Sequence, residues 1–230
     1  MNAIILAAGL GSRLRPLTLT TPKPLLKIKG ISLIENQIKI LKQNEIQDII
    51  VVVGYKKEKF KYLEEKYGVR LVYNERFSVC NNIYSMYKVI DEFGDSFVLD
   101  GDIFINNNSL IKYEGNKSAY FACYRESYIN EWKLIFDLNN KVQNIEIGNG
   151  SGYILSGVSF WCQKDSIILR EKIKNRVENG LYKDLYWDDI VRENIGILDI
   201  KINKIQSGEL IEFDTLDDFE QFTKVYMNKA

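Results

Sequence analysis

Two short, nearly all-apolar runs constrain this chain more than anything else in it: Asn2 to Leu6, and the β-branched Ile49 to Val53, which Gly54 closes. Runs of that length without polar alternation read as parallel strands buried on both faces. Between them Ile34, Ile38 and Leu41 recur at helical spacing, with Glu35, Gln37, Lys39 and Lys42 on the other faces. A helix of this kind is the crossover that parallel strands need. The alternation continues with a helix through Phe60, Leu63 and Tyr67, a strand at Val69 to Tyr73, a helix at Ile83 to Ile90 and a strand at Phe97 to Leu99. The first hundred residues therefore predict a doubly wound α/β sheet.

Beyond Asp102 the pattern changes. Ala119 to Tyr124, Lys133 to Phe136 and Val142 to Ile147 are strand-like, with a hairpin around Asn139-Asn140. Ile167 to Val177 is amphipathic, Leu198 to Ile205 alternates, and Leu216 to Met227 reads as a closing helix. No internal repeat or Pro/Gly/Ser linker divides the chain, and 230 residues, 46% of them hydrophobic, suffice for one domain with a sizeable core. The expectation is one unit over 1–230, with the β-rich stretch forming the far wall of a cleft.

Lysine plus arginine equals aspartate plus glutamate at 31 each, so no net positive field gathers a nucleic acid or an anionic membrane. The count of histidines is 0, which removes Ser/His/Asp and Cys/His catalysis and His-ligated zinc. Lysine, carboxylates and a hard cation remain. Cys80, Cys123 and Cys162 are far apart and form no CxxC pair, so they read as reduced thiols in a cytoplasmic protein. No apolar run is long enough to span a bilayer, and Met1-Asn2 lacks the cationic start of a signal peptide.

The chemistry begins where the first strand ends. Leu6-Ala7-Ala8-Gly9-Leu10-Gly11-Ser12-Arg13 is followed by Arg15-Pro16 and by Thr21-Pro22-Lys23-Pro24-Leu25. Small residues let backbone approach a ligand, and glycines allow turns that aim consecutive N–H groups at one anion. This is a phosphate cradle with cations beside it. Leu14 stands where a dinucleotide fingerprint needs its third glycine, and no Gly-Lys-Ser/Thr follows.

That ordered stretch, from Leu6 to Thr18 and again from Thr21 to Leu25, resembles the signature of the nucleotidyltransferases that make nucleotide sugars and CDP-alcohols. The resemblance implies a Rossmann-like (GT-A-like) mixed sheet, with 1–115 as the nucleotide-binding half, 116–215 mainly for the second substrate and 216–230 as a terminal helix. It also implies that Leu6, Ala7, Ala8, Gly9, Gly11 and Ser12 hold a nucleotide triphosphate, and that Arg13 and Lys23 contact its phosphates in the transition state. Pro24 departs from the small residue of some members and bears on the stiffness of the loop beside Lys23, with the same reaction expected.

Asp100-Gly101-Asp102 follows the strand Phe97 to Leu99, placing two carboxylates at the strand end where open α/β sheets bind ligands. Magnesium takes carboxylate oxygens and keeps positions for phosphate oxygens. By resemblance Asp102 is the metal aspartate with Asp214 its distant partner, and Asp100 is taken as an outer neighbour of the metal on the nucleotide-binding side. A solvated turn and a helix cap at Asp214-Thr215 are the competing uses. Asn74, Asn81 and Asn82 lie after the strand ending at Tyr73, and asparagine amides can read both edges of a pyrimidine or cap a helix. The family's loop here faces the base, which favours Asn81 and Asn82.

The later half holds all three tryptophans, in Asn130-Glu131-Trp132, Phe160-Trp161 and Asp184-Leu185-Tyr186-Trp187-Asp188. Aromatic faces beside acidic groups suit a quaternary ammonium, although such rings are as often core. Tyr124-Arg125-Glu126, Ser156 to Trp161, Lys66 to Val72 and these tryptophan segments resemble the bacterial CTP:phosphocholine cytidylyltransferases. The resemblance implies CTP and phosphocholine as substrates, Mg²⁺ as cofactor, and a head-group pocket of Trp132, Tyr186 and Glu212, with Asp184 and Trp187 nearby. A phosphomonoester with a second pKa of about 6 arrives mostly dianionic, so a chain without histidine needs no general base. Aminoethylphosphonate, phosphoethanolamine or sugar phosphates as acceptors, and a non-catalytic nucleotide sensor, are the rival readings.

Overall fold

The structure is a computed structural model that describes residues 1–107, 113, 116–213 and 215–227, with side chains described as far as residue 224. In chain order the strands are β1 (Asn2–Ala7), β2 (Lys27–Ile28), β3 (Ile31–Ser32), β4 (Ile49–Val53), β5 (Arg70–Tyr73), β6 (Ser96–Asp100), β7 (Ile103–Ile105), β8 (Ala119–Phe136), β9 (Val142–Trp161), β10 (Lys201–Ile205) and β11 (Leu210–Glu212). The α-helices are α1 (Leu17–Thr20), α2 (Leu33–Gln43), α3 (Tyr62–Tyr67), α4 (Ile83–Lys88), α5 (Gln163–Glu178), α6 (Trp187–Glu193) and α7 (Leu216–Met227).

One seven-stranded sheet runs β10-β8-β9-β6-β1-β4-β5. β1 is parallel to β4 and β6, β5 is parallel to β4, and β9 turns antiparallel against β6. The mixed α/β sheet expected from the strand–helix alternation is therefore present, and the β-rich later segment extends the same sheet.

Alternation along β1 divides the core. Ile4 and Leu6 face a layer that includes Met86, Leu169, Ile173, Trp187 and Ile190 of α4, α5 and α6. Ala3, Ile5 and Ala7 face Ile34, Ile38 and Leu41 of α2 and Leu63 of α3. Each fully buried branched side chain stabilises by about 1.5–3 kcal/mol relative to exposure, so two covered faces explain why β1 and β4 lack polar alternation. A third cluster of Leu14, Leu26, Leu33, Phe104, Phe213 and Phe219 fastens the segment after β1 to β7 and α7.

α2 starts where a local signal says it should. The Ser32 hydroxyl accepts from the Glu35 N–H, and the Glu35 carboxylate accepts from the Ser32 N–H, both at 3.3 Å. The expected hairpin at Asn139-Asn140 forms too: Asn140 takes a left-handed φ of 59° and Asp137 accepts from the N–H groups of Asn139 and Lys141 at 2.9 Å.

Several elements depart from expectation. The separate strands at 119–124 and 133–136 are one strand, because β8 stays paired with β9 through register shifts between Arg125 and Glu131 that break the apolar alternation. β9 runs on to Trp161, α6 begins at Trp187, and the short pair β7–β11 had no periodic signal. The strand expected from Leu198 begins at Lys201, after a 3₁₀ turn at Ile195–Ile197. Among the described residues no helix is long and apolar enough to cross a membrane, and Cys80, Cys123 and Cys162 are all unpaired.

Candidate active site

β1 delivers its carboxyl end straight into the phosphate loop. Leu6, Ala7 and Ala8 are buried, whereas Gly9, Ser12 and Arg13 are exposed. Gly11 has φ of 61°, and a Cβ there would lie 3.0 Å from the Cβ of Lys23 and 3.1 Å from Thr18, so both conformation and space call for glycine. The Thr18 hydroxyl donates to the Gly11 carbonyl at 2.8 Å. Leu14, in the place of the missing third glycine, is 1% exposed and anchors the 3₁₀ turn that carries Arg13.

Lys23 begins a second 3₁₀ turn, with Pro24 buried beside it. Its side chain is 8% exposed, and its ammonium lies 2.6 Å from Asp102 Oδ2. The acidic turn is held against the phosphate loop by backbone: the Gly101 N–H donates to the Leu6 carbonyl at 2.9 Å, and a Cβ at Gly101 would stand 2.9 Å from Ala7. Lys23, Asp102 and the loop thus converge at the carboxyl ends of the adjacent central strands β1 and β6.

The other carboxylates gather on the same side. Burial, then repulsion from Asp102, Asp188 and Glu212, pushes the Asp100 carboxyl well above the usual range, with Lys23 pulling it back. Asp188 is pushed up to about 7, chiefly by burial, although its Oδ1 accepts from the Tyr120 hydroxyl at 2.7 Å. Glu212 reaches this region because β11 pairs antiparallel with β7, setting Glu212 opposite Ile103. Asp214 lies outside the described residues.

A divalent cation fits these groups. Asp102 Oδ1 is buried without a hydrogen-bond partner while Oδ2 is held by Lys23, so one oxygen of the carboxylate is left for a ligand. Among the described residues no three acidic or thiol side chains close a metal site alone.

On the second-substrate side Trp132 and Tyr186 meet edge to face, with ring centroids 6.0 Å apart and planes at 81°. Trp132 is half-buried and Tyr186 exposed. The Arg192 guanidinium lies 5.7 Å from the Trp132 ring and is held by Asp189 at 3.0 Å. Asp184 is exposed, and its carbonyl accepts from the Asn81 amide.

One expected placement differs. The Trp187 indole is in the core, 3% exposed, against Trp161 at 5.3 Å and Phe93 at 6.1 Å, because the first turn of α6 points it inward between α4 and α5. Asn81 and Asn82 spend amide groups on backbone of residues 184 and 187. Asp188 and Tyr120 were missed: a half-buried acid and a buried tyrosine look like ordinary residues until strand and helix bring them together, and Asp-Asp at a helix start was the one available hint.

A doubly wound sheet whose first strand opens into a glycine-rich anion loop, backed by a lysine–aspartate pair, defines a nucleotide-handling transferase. The family model described as nucleotidyl transferase matches residues 2–124, and the chain belongs to that family. It is 43% identical over 229 residues to the choline-phosphate cytidylyltransferase of Streptococcus pneumoniae, covering 100% of both chains. It is 35% identical to the 2-aminoethylphosphonate cytidylyltransferase of Lancefieldella rimae, covering 98% of this chain and 93% of that one. A solved structure of the S. pneumoniae CTP:phosphocholine cytidylyltransferase superposes with a TM-score of 0.94 at 43% identity, covering 97% of this chain and 98% of that one.

Proposed function

We propose that this chain is a choline-phosphate cytidylyltransferase, converting CTP and phosphocholine to CDP-choline and diphosphate. The observation that carries the reading is the meeting, at the carboxyl ends of β1 and β6, of an anion loop and the Lys23–Asp102 pair with the carboxylates of Asp100 and Asp188. The aromatic pair Trp132–Tyr186 reaches the same region through Tyr186, two residues before Asp188. The full-length identity to a choline-phosphate cytidylyltransferase supports the choice of acceptor.

In this mechanism the loop from Ala7 to Ser12 offers backbone N–H groups to the triphosphate, and Arg13 and Lys23 place positive charge beside the α-phosphate. The phosphocholine phosphate, already dianionic, attacks phosphorus in line and diphosphate leaves. Lys23 is desolvated, so its charge acts on the crowded oxygens through a low dielectric rather than through water. Asp102 orients Lys23 and, with Asp214, would hold a magnesium ion that, when bound, neutralises phosphate charge. Trp132 and Tyr186 present ring faces to the trimethylammonium, with Glu212 and Asp184 supplying negative charge. The three unpaired thiols accord with a cytoplasmic enzyme.

The 35% identity to an aminoethylphosphonate enzyme supports a second reading, in which the same acids hold a primary ammonium. Diphosphate release from CTP is measured with phosphocholine, phosphoethanolamine and 2-aminoethylphosphonate. The highest kcat/KM is expected with phosphocholine. Preference for a primary amine overturns the acceptor, and no release with any pair overturns the transferase.

A further inference from the structure

The loop of residues 74–82, between β5 and α4, touches both halves of the site. On one side it is wedged against the phosphate loop. A Cβ on Gly54 would stand 2.5 Å from the Cβ of Phe77 and 2.6 Å from the carbonyl oxygen of Ala8, so Phe77, Gly54 and Ala8 are stacked without spare room. The Tyr55 N–H donates to that same Ala8 carbonyl at 3.1 Å. The loop is also braced internally: Asn74, 1% exposed, donates to Ser85 at 2.9 Å and accepts from the Arg76 N–H at 2.8 Å.

On its other side the loop is fastened to residues 182–187. The Asn81 N–H donates to the Lys183 carbonyl at 3.0 Å, and the Asn81 amide donates to the Asp184 carbonyl at 2.8 Å. Asn82 Oδ1 accepts from the Trp187 N–H at 2.9 Å, capping the first turn of α6 from a distant part of the chain. The Arg76 guanidinium donates to the Tyr182 hydroxyl. These bonds bracket Tyr186, an exposed ring on a segment whose Tyr182 and Trp187 are buried.

We infer that Asn81 and Asn82 are positioning residues for the acceptor side: their amides clip the segment carrying Tyr186 to a loop that is itself seated on the phosphate loop. The inference rests on the proposed function and specifies how the head-group wall keeps its distance from the phosphate cradle. It gives the two asparagines a structural task that base reading alone does not require. Asn82 commits its amide oxygen, and Asn81 one amide N–H, to these bonds.

The two contacts have opposite chemistry, and that makes the test sharp. Asn82 is used as an acceptor, so Asn82→Asp preserves its contact. Asn81 is used as a side-chain donor, so Asn81→Asp turns a donor into an acceptor facing a carbonyl. Steady-state KM for phosphocholine and for CTP is measured for Asn82→Ala, Asn82→Asp and Asn81→Asp.

Asn82→Ala and Asn81→Asp are expected to raise KM for phosphocholine at least about fivefold, and to change KM for CTP by less than about twofold. Asn82→Asp is expected to stay within about twofold for both. A larger rise in KM for CTP than for phosphocholine, or failure of Asn82→Asp to restore what Asn82→Ala loses, overturns the clip in favour of base reading. If Asn82→Ala does not fold, the two aspartate variants still decide, because a general loss of stability does not separate the same change at adjacent positions. If the wild-type enzyme prefers another acceptor, the proposed function fails, while the comparison run with that acceptor still tests the clip.

Discussion

The two sides of the site are built in different ways. The phosphate side is nearly contiguous in the chain: from Leu6 to Lys23, one strand end and two 3₁₀ turns place the cradle, and the brace from Thr18 to Gly11 spans seven residues. The acceptor side draws Trp132 from β8, Tyr186 and Asp188 from the start of α6, and Glu212 from β11. Its ties span 105 residues from Asn82 to Trp187 and 68 from Tyr120 to Asp188. A contiguous site is specified by local conformation and tolerates change elsewhere. A dispersed one inherits every shift in the elements that carry it.

The contrast can be broken most decisively at Lys23. Lys23→Ala should lower kcat about 10²- to 10³-fold, because a desolvated cation beside developing charge contributes on that scale, while the unfolding transition stays cooperative. Near wild-type diphosphate release would remove the lysine from the reaction. Trp132→Ala tests the opposite side: KM for phosphocholine should rise roughly tenfold, as for a desolvated cation–π contact of about 1–2 kcal/mol, with CTP little affected. Equal rises for both substrates would show that the two sides are not separable.

Gly54→Ala probes the join between them. The added carbon meets Phe77 and the Ala8 carbonyl, and overpacking of this kind costs about 1–3 kcal/mol. A lowered Tm with weakened use of both substrates is expected, and an unchanged Tm would mean the wedge is soft.

Asp188→Asn gives the smallest effect and the clearest sign. The carboxyl titrates near 7 in the fold against 3.8 in the open chain, so between those values the folded state holds the extra proton and stability falls as pH rises. At pH 8 the ionised Asp188 is a burden that asparagine lacks, so the variant should be more stable by on the order of 1 kcal/mol, raising Tm by about 2–4 °C. At pH 4 the two should melt together. A variant less stable at pH 8 would show that the carboxylate is a stabilising partner there.

Much of this was legible beforehand. Apolar runs at Asn2–Leu6 and Ile49–Val53 and the helical spacing of Ile34, Ile38 and Leu41 sufficed for the parallel half, because strands covered on both faces cannot carry polar residues. The Ser32–Glu35 cap and the Asn139-Asn140 turn were local signals and behaved as such. The long reach of β8 was hidden, since exposed polar residues with register shifts carry no period. The core place of Trp187 was hidden too, since an indole beside aspartates suits a cage wall and a helix interior equally well.

Residue order alone prescribed the strand-to-glycine turn, the cations beside it and the paired aspartates at the end of β6, because backbone conformation and neighbouring charge act over a few residues. The meeting of Asp102 with Lys23, the gathering of Asp188 and Glu212 around Asp100, and the use of Asn81 and Asn82 as clips depend on sheet order and helix placement. Hydrogen bonding and burial act through space, and distances between remote segments exist only once the chain has packed.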